Sequence, residues 1–290
     1  MFESADAISK ESQREYLKWT RGRLQLALAA ALFGAVAASS EGRTEKAAAA
    51  LALVAFIAAL VTEIHLLRDK PEDRWYHGRA LAESAKTLAW RYMAGAEPFP
   101  PDRPNDDARR VLLTRIRDLV DSNPLSGLSY GTVQVTDRMT EVRDLDYEGR
   151  KATYLALRVA DQEAWYTSKA KQSQRNSQKW RSVLISFEVL GVAASVVSLM
   201  DLTDIEVGSV VAAAIAAAGA WLEVKQYDNL ASAYSLTATE LGFVRQTGES
   251  ITTEADWTRF VLSAEQAISR EHTMWLARRL GMRAVRRAVE

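Results

Sequence analysis

The sequence predicts an all-α membrane protein with two transmembrane helical hairpins, four membrane helices in all, and long cytoplasmic helices. Three observations predict it. Ser182–Met200 is a 19-residue apolar run broken once, by Glu188, and Val207–Leu222 is 16 residues without a charge. A crossing helix needs about 17–25 apolar residues, so the first run fits and the second is at the lower limit. The same arrangement occurs earlier in the chain. Leu24–Ser40 holds 17 uncharged residues, Glu41–Lys46 is a polar connector, and Ala47–Thr62 holds 16 more before Glu63. Finally, the hairpins contain no Pro, and the 290-residue chain has only six, which suits long uninterrupted helices.

Taken in order, Asp6–Arg23 reads as a polar helix that leads into the first crossing, with Tyr16 and Trp19 at the membrane interface. The crossings are expected at about 24–40, 47–64, 182–200 and 207–223. Arg74–Ala96 reads as an amphipathic helix stopped by Pro98, Pro100 and Pro101. Asn105–Asp121 follows, with an Asn-Asp-Asp start read as its cap and a Leu112–Ile116–Leu119 stripe. Residues 122–136 are turn-rich, with a short strand at Thr132–Val135, and read as the linker between a first unit (1–121) and a second (137–290). Asp137–Arg143 is one more helix. From Tyr147 to Met200 no breaker occurs, which predicts one helix of roughly 80 Å. A helix after Leu222 runs to about Arg245. A turn at Gly248–Thr253 and a last helix, Glu254–Ala288, close the chain.

Composition narrows the function. Lys+Arg equals Asp+Glu at 37 each, so no global charge favours nucleic acid. There is no Cys, and the three His (His65, His77, His272) share no metal-ligand spacing. Gly127-Leu-Ser129-Tyr-Gly131 matches a nucleophile elbow but lacks the strand-then-helix context that motif needs. No phosphate-binding glycine loop is present. The expectation is no enzyme, no catalytic residue, no cofactor and no metal. Lys171, Arg175, Lys179 and Arg181 before the third crossing and Lys225 after the fourth place both termini in the cytoplasm of a multi-pass inner (plasma) membrane protein.

Three phrases carry a family resemblance. They are Trp75-Tyr76-His77-Gly78-Arg79 through Tyr92 after the first hairpin, Asp161-Gln162-x-x-Trp165-Tyr166-x-x-Lys169-Ala170 before the second, and Trp257-x-x-Phe260 through Glu265 and His272 to Trp275. In this order around two hairpins they resemble the SLATT superfamily, two-transmembrane effector domains associated with nucleotide-second-messenger synthases and SLOG sensors, here in tandem. The resemblance implies a pore-forming effector of bacterial conflict systems, with a nucleotide second messenger or a sensor protein as its trigger. It implies no catalytic residues.

Glu63, Glu188 and Glu223 are the candidate pore or selectivity residues. An acid within a membrane helix is costly and therefore faces protein or water. Each stacks on a small-residue stripe, and rings of such carboxylates in a homo-oligomer would favour cations. The plainer readings are interfacial pairing with Lys or Arg for Glu63 and Glu223, and a buried hydrogen bond for Glu188. Gly34, Gly191 and Gly219 are candidate helix-packing positions. Trp165, Tyr166, Trp257 and Trp275 read as packing residues. Glu265, Glu271 and His272 read as solvated or salt-bridged on an exposed-looking terminal helix. The basic C-terminal end (Arg278, Arg279, Arg283, Arg286, Arg287) completes its helix or meets anionic lipid. Beside the pore in a lipid bilayer stands the alternative of a non-conducting, membrane-anchored scaffold that recruits signalling partners through its cytoplasmic helices.

Overall fold

A computed structural model describes residues 2–122, 134–200 and 207–269, and every regular element among them is helical. In order these are α1 (Phe2–Ala38), α2 (Gly42–Asp69), α3 (Pro71–Ala94), α4 (Asn105–Asp121), α5 (Asp137–Arg143), α6 (Tyr147–Tyr154), a π-helical turn (Leu155–Ala160), α7 (Asp161–Leu199), α8 (Val207–Lys225), α9 (Tyr227–Ser250) and α10 (254–269).

Several boundaries differ from expectation. The first connector is tighter than Glu41–Lys46, because α2 already begins at Gly42, whose φ of 69 makes the turn after Glu41. The helix expected from Arg74 starts three residues earlier, at Pro71, where the missing N–H costs nothing. Asn105 does not cap α4. Pro104 holds that position, and the Asn105 side chain instead donates to Asp144 at 2.7 Å and accepts from Arg143 at 3.0 Å. The long helix before the second hairpin is unbroken but is not α-helical throughout, since six residues wind as a π-turn. The expected strand at Thr132–Val135 lies partly outside the described residues, and Gln134 and Val135 are irregular.

The two halves share a plan. In each, an apolar helix ends on a single left-handed residue, Lys70 (φ 44) after α2 and Gln226 (φ 47) after α8, and a new helix departs at once. Both residues are long and polar, and each donates its N–H back to the preceding turn, Lys70 to Leu66 and Gln226 to Leu222.

Compactness follows a different division. One unit comprises Met1–Ser12, Glu72–Ala170 and Ser232–Glu290, and the other Gln13–Pro71 and Lys171–Ala231. The first unit, called the aromatic unit below, holds three apolar clusters. The largest joins Tyr154, Val159, Tyr166, Leu241, Trp257 and Ile268; a second joins Tyr92, Phe99, Leu112 and Ile116; a third joins Ala5, Leu81 and Ala82. In that third cluster Gly78 lets α3 approach α1, because a Cβ there would stand 3.2 Å from the Ala5 carbonyl and the Ser9 nitrogen. Trp257 is fully buried and donates its indole N–H to the Ala94 carbonyl at 3.1 Å. Its helix, α10, opens with a reciprocal cap: the Asp256 N–H donates to the Thr253 hydroxyl, which donates to the Asp256 carboxylate.

The second unit, the hairpin unit, holds the apolar stretches of both hairpins. No cluster of large buried side chains lies in it among the described residues. Among the described residues, three helical stretches are long and apolar enough to cross a membrane, Gly42–Ala94, Tyr147–Leu199 and Val207–Ser250. The expected first crossing, 24–40, is not among them. Helix α1 closes at Ala38, so its uncharged end, Leu24–Ala38, is short, and Arg21 and Arg23 stand directly before it.

Candidate functional site

In the hairpin unit the usual distribution of size and burial is reversed. Its buried residues are Thr20, Ala30, Ala35, Ala48, Ala52, Ala55, Thr62, Ser173, Ser177 and Ala218, with Pro71 at its edge. Its large apolar side chains point outward: Val54 is 62% exposed, Phe56 60%, Val189 62% and Val192 68%. In water such a surface would be an aggregation hazard. In hydrocarbon it is the expected one, because small residues let helices close up while Leu, Val, Ile and Phe meet acyl chains.

The structure places the three sequence-selected carboxylates differently. Glu63 on α2 pairs with Arg23 on α1, both about one-third exposed. Two residues beyond, His65 lies 3.1 Å from Asp69 and packs edge-on against Trp19, with 4.6 Å between ring centres. Glu188 is exposed on α7 in the middle of the apolar run, and Glu223 is exposed near the end of α8. Neither has an ion pair or hydrogen bond among the described residues, and the three carboxylates do not meet. Of the three glycines, only Gly191 approaches another helix: a Cβ there would meet Val211 of α8 at 3.4 Å, whereas one on Gly34 or Gly219 would meet nothing within 4 Å. At the base of the second hairpin Trp180 and Trp221 lie 6.4 Å apart, and Lys225 sits 5.1 Å over the Trp221 ring. Asp228 accepts from Ser177 at 2.6 Å and from Arg181 at 2.9 Å.

The aromatic unit carries two arginine centres that sequence reasoning missed. The π-turn places Arg158 in the core, 1% exposed, against Glu265 of α10, which is 0% exposed. Arg158 donates Nε to Oε1 at 2.9 Å and Nη2 to Oε2 at 2.8 Å. The same carboxylate accepts from the Tyr154 hydroxyl at 3.0 Å and the Thr87 hydroxyl at 2.9 Å. Glu265 is thus salt-bridged, but the expectation of an exposed terminal helix is wrong: α10 is the centre of the core. Burial pulls the Arg158 guanidinium down, the Glu265 carboxylate outweighs it, and the net shift is upward. Burial, then Glu265, hold the Tyr154 hydroxyl well above its ordinary pKa. The sequence signal was present: Arg158 is the one charge in the apolar run Leu155-Ala-Leu-Arg-Val-Ala160.

Arg143 is the second centre. It donates to the carbonyls of Tyr92, Phe99, Pro100 and Arg103 at 2.9–3.1 Å, and its guanidinium stacks 5.0 Å from the Tyr92 ring centre. The five-donor fork thereby ties the loop between α3 and α4. Burial lowers its pKa.

No group of three or more His, Cys, Asp or Glu with metal-holding geometry occurs among the described residues. Trp165, 37% exposed, and Tyr166, 1% exposed, pack with Tyr234. The 127–131 glycine-serine motif, the 201–206 connector, Glu271, His272, Trp275 and the C-terminal arginines lie outside the described residues.

Comparison with known families gives two matches in tandem. Residues 1–151 match the model of "SMODS and SLOG-associating 2TM effector domain 3", and residues 154–275 match that of "SMODS and SLOG-associating 2TM effector domain 1". No curated protein and no solved structure matches the chain. The reversed hairpin unit, the three helices able to cross a bilayer and the two family matches agree, and the chain belongs to the SLATT family of two-transmembrane effector domains as a tandem of two such domains.

Proposed function

We propose that this chain is one subunit of a homo-oligomeric, cation-preferring pore that crosses the inner membrane four times with both termini in the cytoplasm. It acts as an effector in a bacterial defence system, triggered by a nucleotide second messenger or a sensor protein, and carries out no catalysis. The observation that supports this reading best is the bare α7 surface: Ile185, Val189 and Val192 are exposed beside Glu188, which has no partner among the described residues. An acid facing lipid at that depth costs roughly 2.5–3.5 kcal/mol. Packing of further subunits around Glu188, with its carboxylate toward water, removes the cost and makes a cation path. α1 supplies the fourth crossing by packing its alanine face on α2, as buried Ala30 and Ala35 on one and Ala48, Ala52 and Ala55 on the other suggest. Lys171, Arg175, Lys179 and Arg181 support the orientation.

The test is ion flux from liposomes containing purified protein. Cation flux that loses its charge preference in Glu188→Gln and Glu223→Gln supports the pore. Unchanged selectivity in both variants removes the carboxylates from the path. A second reading, the non-conducting scaffold, draws on a separate observation: Leu236 and Phe243, two turns apart on α9, are 62% and 65% exposed in the aromatic unit. Absence of flux, with loss of a bound partner in Leu236→Ser/Phe243→Ser, would favour it.

A further inference from the structure

A cavity of about 650 Å³ opens in the aromatic unit between α3, α4 and α10. That size falls in the range of small-molecule sites. Two guanidiniums line it. Arg91 of α3 is half-buried and donates Nε to the backbone carbonyl of Glu97 at 2.7 Å, with Nη2 on the same oxygen. Its hydrogen bonds thus go to a neutral acceptor and not to a carboxylate. Arg115 of α4 is exposed at the same cavity, and its side chain has no hydrogen bond or ion pair among the described residues. Burial, and Arg115 beside it, push the Arg91 guanidinium below its ordinary pKa against the pull of Glu265 and Glu97. Glu265 is not available to neutralise it, because its oxygens already accept from Arg158, Tyr154 and Thr87. Ser84 and Thr87 add hydroxyls to the wall, and Glu97 and Asp118 add carboxylates.

We propose that this cavity binds a phosphate-bearing small molecule. Its phosphate oxygens sit between Arg91 and Arg115, and its hydroxyl or amine groups donate to Glu97 and Asp118. Two guanidiniums that face one cavity, neither with a hydrogen bond to a carboxylate among the described residues, are the arrangement that planar, charge-assisted recognition of phosphate uses. Arg110, one turn before Arg115 on the same helix, is already paired with Asp107, which marks Arg115 as the uncommitted member. The site is independent of whether the hairpins conduct, and its test needs no flux.

The experiment is calorimetric titration of the full chain in detergent with sodium pyrophosphate as the probe and sodium citrate as the carboxylate counterpart. One saturable pyrophosphate site, weakened at least about tenfold in Arg115→Gln and unchanged in Arg110→Gln, is expected. Asp118→Asn should tighten pyrophosphate binding severalfold, because this probe has no hydroxyl or amine to donate to Asp118 and the carboxylate only repels it, an effect that general destabilisation would not produce. Arg91→Gln should weaken binding more than Arg115→Gln, but it also frees the Glu97 carbonyl, so the exposed Arg115 is the decisive position. Binding that Arg115→Gln leaves intact, that Arg110→Gln reduces equally, or that citrate matches would overturn the proposal.

Discussion

The aromatic unit and the hairpin unit bury opposite things. In the aromatic unit the largest fully buried side chains are Trp257, Arg158, Tyr92 and Tyr154, whereas among the described residues of the hairpin unit nothing larger than threonine or a boundary proline is buried. Both are built from helices of one chain, so helix propensity does not explain the contrast; the solvent does. Water drives large apolar surface inward and makes a paired, hydrogen-bonded charge tolerable at the centre. Hydrocarbon gives no such drive, so helices associate through small residues and leave the bulky ones outside. The family matches lie along the sequence, at 1–151 and 154–275, whereas the compact units draw segments from both matches.

Substitutions can break this contrast from either side. The largest effect belongs to the aromatic core. Glu265→Ala leaves Arg158 charged and unpaired in the interior and should cost about 3–5 kcal/mol, read as loss of the thermal transition in detergent. Replacing both partners by methionine should cost far less. If the single and double changes were equally harmful, the pair would not be the buried centre described above.

Next in size is the hairpin unit. Val189→Arg should cost roughly 2.5–3.5 kcal/mol of insertion free energy and move protein out of the carbonate-resistant membrane fraction. The same change on the exposed face of a water-soluble helix would be nearly neutral, so a silent Val189→Arg would erase the contrast.

A smaller, pH-dependent effect sharpens the first. Tyr154 is held protonated in the folded state, its pKa raised by burial and by Glu265. The stability it contributes is complete below the unfolded value of about 10 and is lost as pH rises above it. Thermal unfolding followed from about pH 9 to 11 should therefore weaken steadily, and Tyr154→Phe should flatten that slope. A slope unchanged in the variant would place the titrating group elsewhere.

Least affected should be Arg23→Gln. Its pair with Glu63 is partly exposed, and such pairs contribute about 0–1 kcal/mol. A larger loss would mean that the ion pair is sheltered from water by lipid headgroups or another subunit.

Much of the helical plan was legible. Asn105–Asp121 and Asp137–Arg143 have the expected ends, and Leu112 and Ile116 are buried as their spacing predicts. These features depend on residues three or four apart, which a sequence displays directly. The salt bridge of Glu265 was among the readings, but its burial was missed because its partner is 107 residues away, and no local pattern distinguishes a buried acid on an aromatic helix from a solvated one. Arg143 was missed for a similar reason: four of its acceptors are backbone carbonyls, which side-chain identity does not mark. The capping role read into Asn105 failed because a distant arginine competes for the same amide.

By itself the sequence determined that the chain is helical, that two hairpins carry its apolar runs, and that two related domains follow one another. Periodicity, hydropathy and chain breakers are properties of neighbouring residues, so they survive without any fold. Only the tertiary structure decided which charges are buried, which of the acids has a partner and which arginines line a cavity. Those outcomes depend on contacts between segments far apart in the chain, where a few ångströms separate a paired charge from a solvated one.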